Sequence, residues 1–121
     1  MEKQTYNYED LKVWQEAMNL VEKIYQLSKI FPKNEQYGIT SQLRRAAISI
    51  PLNIAEGQGR SSKKEFQQFL MIARGSIYET NTILLLCHRL NYLTKENYQK
   101  LRQQINQITR MLSGLINSLR I

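Results

Sequence analysis

The sequence is poor in the two residues that most often carry metals and covalent chemistry, with one cysteine and one histidine among 121 residues. A single cysteine cannot form an internal disulfide, and one histidine cannot supply the usual metal-ligand clusters. Cys87 and His88 are neighbours in the chain, and neighbouring side chains on a helix point about 100° apart, so the pair cannot act as nucleophile and base. Leucine at position 85 excludes the Glu-x-x-His motif of di-iron bundles. We therefore expect no metal, no cofactor and no enzymatic activity.

Glycine, proline and long apolar runs are also scarce. Five glycines and two prolines supply little material for a loop-rich β fold, which favours helices. The longest apolar run, Ile83 to Cys87, is far shorter than a membrane span, and the first residues lack the apolar stretch of a secretory signal. The chain is therefore expected to form one soluble, cytoplasmic domain over residues 1–121, with no membrane partner.

Four stretches of the chain show the periodicity of amphipathic helices, with apolar residues at steps of three and four. They predict helices over about residues 8–30, 35–57, 62–90 and 95–119. The expected N-terminal caps are Asn7, Asn34, Ser62 (in a capping box with Glu65) and Thr94. Gly57 and Gly59 are expected to mark the end of the second helix. Long helices with short connections predict an all-α, up-and-down antiparallel four-helix bundle.

The apolar stripes predict which residues of each helix form the core. For the third helix they are Phe66, Phe69, Leu70, Ala73, Ile77, Leu84 and Cys87. The first helix carries its stripe at Leu11, Trp14, Met18, Val21, Tyr25 and Ser28, widened by Ala17, Leu20, Ile24 and Leu27. The second carries it at Ile39, Leu43, Ala46, Ala47, Ile50 and Ile54. The fourth has a seven-residue repeat typical of a bundle seam, at Tyr98, Leu101, Ile105, Ile108, Leu112, Leu115 and Leu119.

The segment around Pro51 alternates apolar residues like a strand, but the helical pattern accounts for more of its residues and needs no partner strand. Pro51 removes one backbone hydrogen bond and crowds the preceding turn, so it is expected to kink the second helix. Asn53 is a candidate structural polar residue, because its amide lies close enough in sequence to satisfy a backbone group that the kink frees.

The second and third helices carry more apolar surface than a single bundle needs. Ile48, Leu52 and Ala55 form a second stripe on the second helix, and Leu85 and Leu86 lie outside the main arc of the third. One explanation is that the kink turns both stripes of the second helix inward. The other is a homo-oligomer that associates through these five residues, because contiguous exposed apolar patches usually mark interfaces.

The net charge of +7 is concentrated in the second half of the chain, where Glu96 is the only acidic residue after Glu79. The polar faces of the third and fourth helices contain candidate nucleic-acid-binding residues: Lys63, Lys64, Arg74, Lys100, Arg102 and Arg110. Such a surface can contact phosphates of RNA or DNA. The alternatives are a solvated helix face, or a protein-interaction scaffold whose basic face meets an acidic partner.

Glu56 and Glu79 lie in stretches of otherwise apolar or small residues. Paired carboxylates can perform acid and base chemistry, but no other catalytic group accompanies these two. They are therefore interpreted as structural polar residues that accept hydrogen bonds or pair with Arg44, Arg45 or Arg74.

Three segments resemble a known family: "YEDLKVWQEAMNL", "QLRRAAISIPLNIAEGQGR" and "EFQQFLMIARGSIYET". They are similar to the bacterial four-helix-bundle proteins encoded in intervening sequences of 23S ribosomal RNA genes. The resemblance covers nearly the whole chain, and it implies an up-and-down bundle that assembles into a ring, commonly a homopentamer. A related branch is the accessory variability determinant of diversity-generating retroelements, which implies nucleic acid and a reverse transcriptase as partners. The resemblance implies no enzyme activity.

Overall fold

A computed structural model describes residues 7–119. Four α-helices make up most of this range, with a short 3-10 helix before α1 and another between α1 and α2. The helices are α1 (Lys12–Ser28), α2 (Ile39–Gln58), α3 (Lys63–Arg89) and α4 (Lys95–Ser118), and the 3-10 helices are Asn7–Asp10 and Lys33–Glu35. Each α-helix packs on the next one in the chain, and α1 also packs on α4. The predicted all-α four-helix bundle is confirmed.

Two of the predicted helix starts are wrong by about one turn. Asn7 begins a separate 3-10 helix, and Leu11 stands at the N-cap of α1 without a side-chain capping bond. Asn34 lies inside the second 3-10 helix, and α2 begins later, at Ile39. Glu35 Oε1 accepts a hydrogen bond from the Ile39 backbone N–H at 3.4 Å, so a carboxylate four residues before α2 satisfies one of its free donors.

The other two predicted caps are confirmed. Ser62 Oγ accepts a hydrogen bond from the backbone N–H of Glu65 at 3.1 Å. Thr94 Oγ1 accepts one from Asn97 N–H at 3.1 Å. In both cases the hydroxyl satisfies a donor that the first helical turn leaves free.

The core is a single cluster to which all four helices contribute. In α2 the predicted positions are buried, except that Ile39 is half-buried. In α4 the predicted repeat is buried as far as Leu112, but Ile116 then replaces Leu115, which is half-buried. A straight helix has 3.6 residues per turn, so a strict repeat of 3.5 drifts away from the core over several turns.

The prediction for α1 is wrong in part. Its buried residues are Val13, Ala17, Leu20, Ile24 and Ser28. Trp14 and Val21 are half-buried, and Met18 is exposed. The core side of α1 is therefore rotated by about one residue from the stripe that the sequence indicated.

Helix α2 continues through Pro51, which is itself buried. Proline removes the donor for the Ala47 carbonyl, yet the Asn53 amide does not replace it. Asn53 Nδ2 donates to the Ser49 carbonyl at 2.8 Å and lies 2.9 Å from Ser49 Oγ. Ser49 Oγ lies 2.8 Å from Ser76 Oγ on α3. The Asn53 amide thus satisfies a backbone carbonyl of α2, and through Ser49 it also belongs to a polar connection between α2 and α3.

No helix within residues 7–119 is long and apolar enough to cross a membrane.

Candidate functional site

The six basic residues proposed from the sequence lie along the α3–α4 side of the bundle. Gln67 Nε2 donates to the Ile116 carbonyl at 3.2 Å, which places the start of α3 beside the end of α4. Lys63 and Lys64 are therefore at one end of the bundle and Lys100 is toward the other. With a rise of about 1.5 Å per residue, the set spans roughly 30 Å or more along the bundle. It is an extended strip along two helices.

Several of these side chains are already engaged within the protein. Arg102 Nη1 donates to the Tyr98 hydroxyl at 2.8 Å. Arg74 Nη1 lies 3.4 Å from Ser113 Oγ across the α3–α4 contact. Lys100 forms an exposed ion pair with Glu96 at 3.3 Å. Exposed pairs contribute little energy, so they leave the lysine able to exchange to a phosphate.

The basic residues of α4 point in different directions. At about 100° per residue, Lys100 and Arg102 lie roughly 160° apart around the helix, and Arg110 lies between them. Arg102 is on the side of α4 that meets α3, and all three are exposed. The predicted residues therefore lie on different outer faces of α3 and α4 and are not gathered at one point.

The predicted oligomer residues fall on two separate surfaces. Ile48, Leu52 and Ala55 line an apolar groove of about 290 Å³ between α1 and α2. Leu52 is 61% exposed, so the second stripe of α2 does not turn inward as a whole. Leu85 and Leu86 line a smaller depression of about 220 Å³ on α3, together with Thr82 and Arg89.

The groove also contains residues that sequence reasoning assigned to the core or overlooked. Its α1 wall is formed by Trp14, Met18 and Val21, with Tyr8 at one end. The Tyr8 and Trp14 rings meet edge to face at 5.3 Å between centroids. The signal in the sequence was the unusual width of the apolar arc of α1, which exceeds what one core-facing stripe needs.

The two glutamates singled out from the sequence do not form a pair. Glu56 Oε1 accepts a hydrogen bond from Arg60 Nη2 at 2.7 Å on the protein surface. The expected role as a hydrogen-bond acceptor is therefore confirmed for Glu56, but its partner is Arg60 and not Arg44, Arg45 or Arg74. Glu79 lines a surface recess that also includes Arg45. The Ser49–Ser76 contact sets the register of α2 against α3 and places the two carboxylates roughly 15 Å apart along the bundle.

His88 has a structural environment. Its Nδ1 is 3.1 Å from the Leu93 carbonyl, and its ring stacks on Tyr98 with 5.4 Å between centroids. These contacts fix the turn between α3 and α4. Among residues 7–119, no three His, Cys, Asp or Glu side chains are grouped closely enough to hold a metal ion.

Cys87 is expected to be chemically inert in the folded protein. Burial raises the pKa of its thiol to about 11, and the nearby Glu35 carboxylate acts in the same direction. Because the thiolate is the reactive form, alkylation by iodoacetamide at pH 8 should be at least about 100-fold slower in buffer than in urea. Mass spectrometry of timed samples measures both rates, and equal rates would contradict the buried position.

Comparisons with known proteins gave matches that cover most of the chain. A family model described as 23S rRNA-intervening sequence protein matches residues 9–114. A crystal structure from Bacteroides thetaiotaomicron, described as a protein of unknown function from the S23 ribosomal protein family, is similar with a TM-score of 0.79. The two sequences are 29% identical, and the match covers 86% of this chain and 97% of the other. A search of curated proteins gave no match.

Proposed function

The chain belongs to the 23S rRNA-intervening sequence protein family, and from that premise we propose that it is a non-enzymatic, oligomeric bundle that binds nucleic acid. The ligand is structured RNA or DNA, and the surface that meets it is the basic strip of α3 and α4. The observation that carries this proposal is the charge of these two helices. From residue 63 to residue 118 there are eight Lys and Arg residues against three Glu.

Nucleic-acid binding through such a strip depends on phosphate contacts more than on base contacts. The strip is long, its charges face several directions, and no carboxylate other than Glu96 lies on α4. Each phosphate that a Lys or Arg neutralises releases counterions, so the affinity should fall steeply as salt rises. Sequence preference should be weak, because phosphate contacts position a duplex without reading its bases.

Self-association would multiply this charge. The α1–α2 groove and the α3 depression are different surfaces, and a contact between two different surfaces repeats from copy to copy, forming a ring when the rotation between copies closes. We propose that Leu85 and Leu86 of one copy meet the groove lined by Ile48, Leu52 and Ala55 of the next. The subunit number suggested by the resemblance is five.

The nucleic-acid proposal is tested by fluorescence anisotropy with a labelled RNA hairpin and a labelled DNA duplex. Affinity should weaken steeply between low and moderate salt. The double variant Arg102→Glu/Arg110→Glu should weaken binding by about tenfold or more at low salt, because two phosphate contacts become repulsive. Lys12→Glu/Lys23→Glu is the matched control, since it changes the net charge equally at two exposed positions of α1.

Equal losses in the two double variants would show that only net charge matters and would contradict a binding strip on α3 and α4. Absence of binding at low salt would favour the second candidate, a protein-interaction scaffold without nucleic-acid contact. That candidate rests on the apolar groove, which offers a partner a continuous hydrocarbon surface with aromatic side chains.

A further inference from the structure

Two adjacent recesses lie where α1 ends and α2 begins, away from the α3–α4 strip. Their volumes are about 250 and 270 Å³. They share one wall, formed by Gln36, Thr40 and Arg44. The first recess is completed by Ser28, Lys29, Phe31, Pro32 and Lys33, and the second by Tyr25, Tyr37, Ser41 and Arg45.

The charge of this double recess is entirely positive. Lys29 and Lys33 line the first recess, Arg45 lines the second, and Arg44 lines both. Among residues 7–119 no carboxylate lines either recess, although Glu79 lines a neighbouring recess that also includes Arg45. The nearest acidic residue in sequence, Glu35, is directed elsewhere. Its two carboxylate oxygens accept hydrogen bonds from Ile39 N–H at 3.4 Å and from the Tyr92 hydroxyl at 2.9 Å. None of the four cations forms an ion pair with a described residue, so the double recess carries an excess of positive charge that favours an anionic ligand.

Arg44 is held in place at the centre of the double recess. Its Nε donates to Ser28 Oγ at 3.0 Å and its Nη2 to the Tyr25 carbonyl at 3.4 Å. The guanidinium carbon also lies 4.5 Å from the centroid of the Tyr25 ring. Within residues 7–119 its third nitrogen, Nη1, makes no hydrogen bond. A guanidinium that is already oriented loses little entropy when it binds a phosphate oxygen.

Thr40 supplies a second, independent sign of a missing partner. Its side chain is part of the shared wall and is 7% exposed. Its hydroxyl oxygen is buried and makes no hydrogen bond to any residue that the structure describes. Buried hydroxyls are normally satisfied, as Thr80 Oγ1 is by the Ser76 carbonyl at 2.7 Å. The shared wall therefore contains one hydrogen-bonding group, the Thr40 hydroxyl, that no described residue satisfies.

Tyr37 adds an aromatic surface at the rim. It lines the second recess and is 90% exposed, although it stands among polar and cationic residues. An exposed aromatic ring beside a cationic groove is the arrangement on which unpaired bases stack in single-stranded nucleic acid.

We propose that this double recess binds a nucleotide unit, with its phosphate at the wall formed by Gln36, Thr40 and Arg44 and its base on Tyr37. The inference rests on the proposed function in one respect: the nucleotide belongs to a single-stranded part of the nucleic acid that the α3–α4 strip holds. Lys29 and Lys33 then neutralise the phosphate from the α1 side. The site gives the bundle a second contact, at the opposite pair of helices from the strip.

The experiment titrates inorganic phosphate and adenosine monophosphate into ¹⁵N-labelled protein and follows the backbone amide signals. Both ligands should shift the signals of Thr40 and Arg44, with millimolar affinity. Lys33→Gln changes an exposed residue and removes one cation from the recess. It should weaken the binding of both ligands severalfold. Tyr37→Ala should weaken the binding of adenosine monophosphate severalfold and leave the affinity for inorganic phosphate unchanged, because in the proposed site the ring contacts only the base.

The control is Lys12→Gln, which removes the same charge from an exposed position at the other end of α1, about 25 Å along that helix. It should leave both affinities unchanged. Arg44→Gln is the more direct variant, but it also removes the bond to Ser28, so Lys33→Gln and Tyr37→Ala carry the test. Shifts that are scattered over the whole surface, or equal losses in Lys33→Gln and Lys12→Gln, would overturn the site.

A labelled single-stranded oligonucleotide separates this inference from the proposed function. If Arg102→Glu/Arg110→Glu weakens oligonucleotide binding while Lys33→Gln and Tyr37→Ala do not, the strip stands and the recess is overturned. If the oligonucleotide does not bind at low salt but adenosine monophosphate still shifts Thr40 and Arg44, the proposed function fails and the nucleotide site stands.

Discussion

Gly57→Ala should destabilise the folded bundle by about 1–3 kcal/mol, although the same change inside a helix normally stabilises it. Gly57 lies in α2 near its C-terminal end and is buried against α3. A methyl group added there would be 2.6 Å from Phe69 Cβ, 3.0 Å from Phe66 Cδ1 and 3.2 Å from the Phe66 carbonyl oxygen. Two of these three atoms are near or in the backbone, so α3 would have to move away from α2.

The measurement is urea denaturation followed by circular dichroism, with Gly75→Ala and Gly114→Ala as matched controls. Both control glycines lie in helix interiors, in α3 and α4, and an added Cβ meets nothing within 4 Å at either one. They should stabilise the protein by about 0.5–1 kcal/mol, because alanine has the higher helix propensity. The three variants make the same chemical change, so the opposite sign at Gly57 isolates the contact with α3.

A stabilising or neutral Gly57→Ala would contradict the close packing of α2 on α3. The Ser49–Ser76 contact lies farther along the same pair of helices, so a change in their separation would also disturb that polar connection. Loss of stability in all three variants alike would show that the loss at Gly57 does not come from its contact with α3, because the two control glycines have no such contact.

Gly57 also shows where prediction from the sequence stops. The sequence predicts that Gly57, together with Gly59, marks the end of α2, because glycine is frequent at the C-terminal ends of helices. The helix instead continues to Gln58, and Gly59 is the C-cap, with a φ of −77° that other residues adopt. A glycine required by the close approach of two helices and a glycine at a helix end look alike in one sequence. Periodicity within a helix cannot report the distance to another helix.

The four helices themselves could be predicted because their signals are local. Ser62 and Thr94 cap their own first turns, and the apolar steps of α4 repeat within one element. The start of α2 was misplaced because its carboxylate partner, Glu35, precedes the helix by four residues and binds across a turn. Such a contact depends on the path of the connection between α1 and α2, which has no periodic pattern.

For the functional surfaces, the sequence predicts which residue types are present but not which of them the fold brings together. The charge of residues 1–35 is close to balanced, with five Lys against six Asp and Glu, and this average conceals Lys29 and Lys33 at one end of α1. The acidic residues Glu9, Asp10, Glu16 and Glu22 precede them in the chain. The fold brings the two lysines to Arg44, and no spacing within α1 or α2 alone indicates that convergence.

Leu84→Ala should lower the free energy of unfolding by about 2–5 kcal/mol, whereas Leu86→Ala should change it by at most about 0.5 kcal/mol at low protein concentration. The two leucines are two residues apart on α3. Leu84 is 1% exposed within the core, and Leu86 is 47% exposed on the outer depression. Truncating Leu84 leaves a cavity surrounded by all its former contacts, while truncating Leu86 removes surface that water already reaches.

The proposed oligomer makes Leu86 informative in a second way. If another copy covers this depression, Leu86→Ala removes an interface contact and should weaken self-association by about tenfold, which is about 1.4 kcal/mol. Sedimentation velocity over a range of concentrations measures that shift. Urea denaturation at two protein concentrations separates the loss of interface contacts from a loss of stability within one copy, because only an assembled protein gains stability as its concentration rises.

The two leucines then give opposite patterns. Leu84→Ala lowers stability equally at both concentrations, since its contacts lie within one copy, and Leu86→Ala lowers it only at the higher one. Leu52→Ala, on the α2 groove, should follow Leu86→Ala if the groove and the depression meet across copies. A monomer at micromolar concentration, with Leu52→Ala and Leu86→Ala both silent, would contradict the ring and leave the exposed leucines open to a different partner.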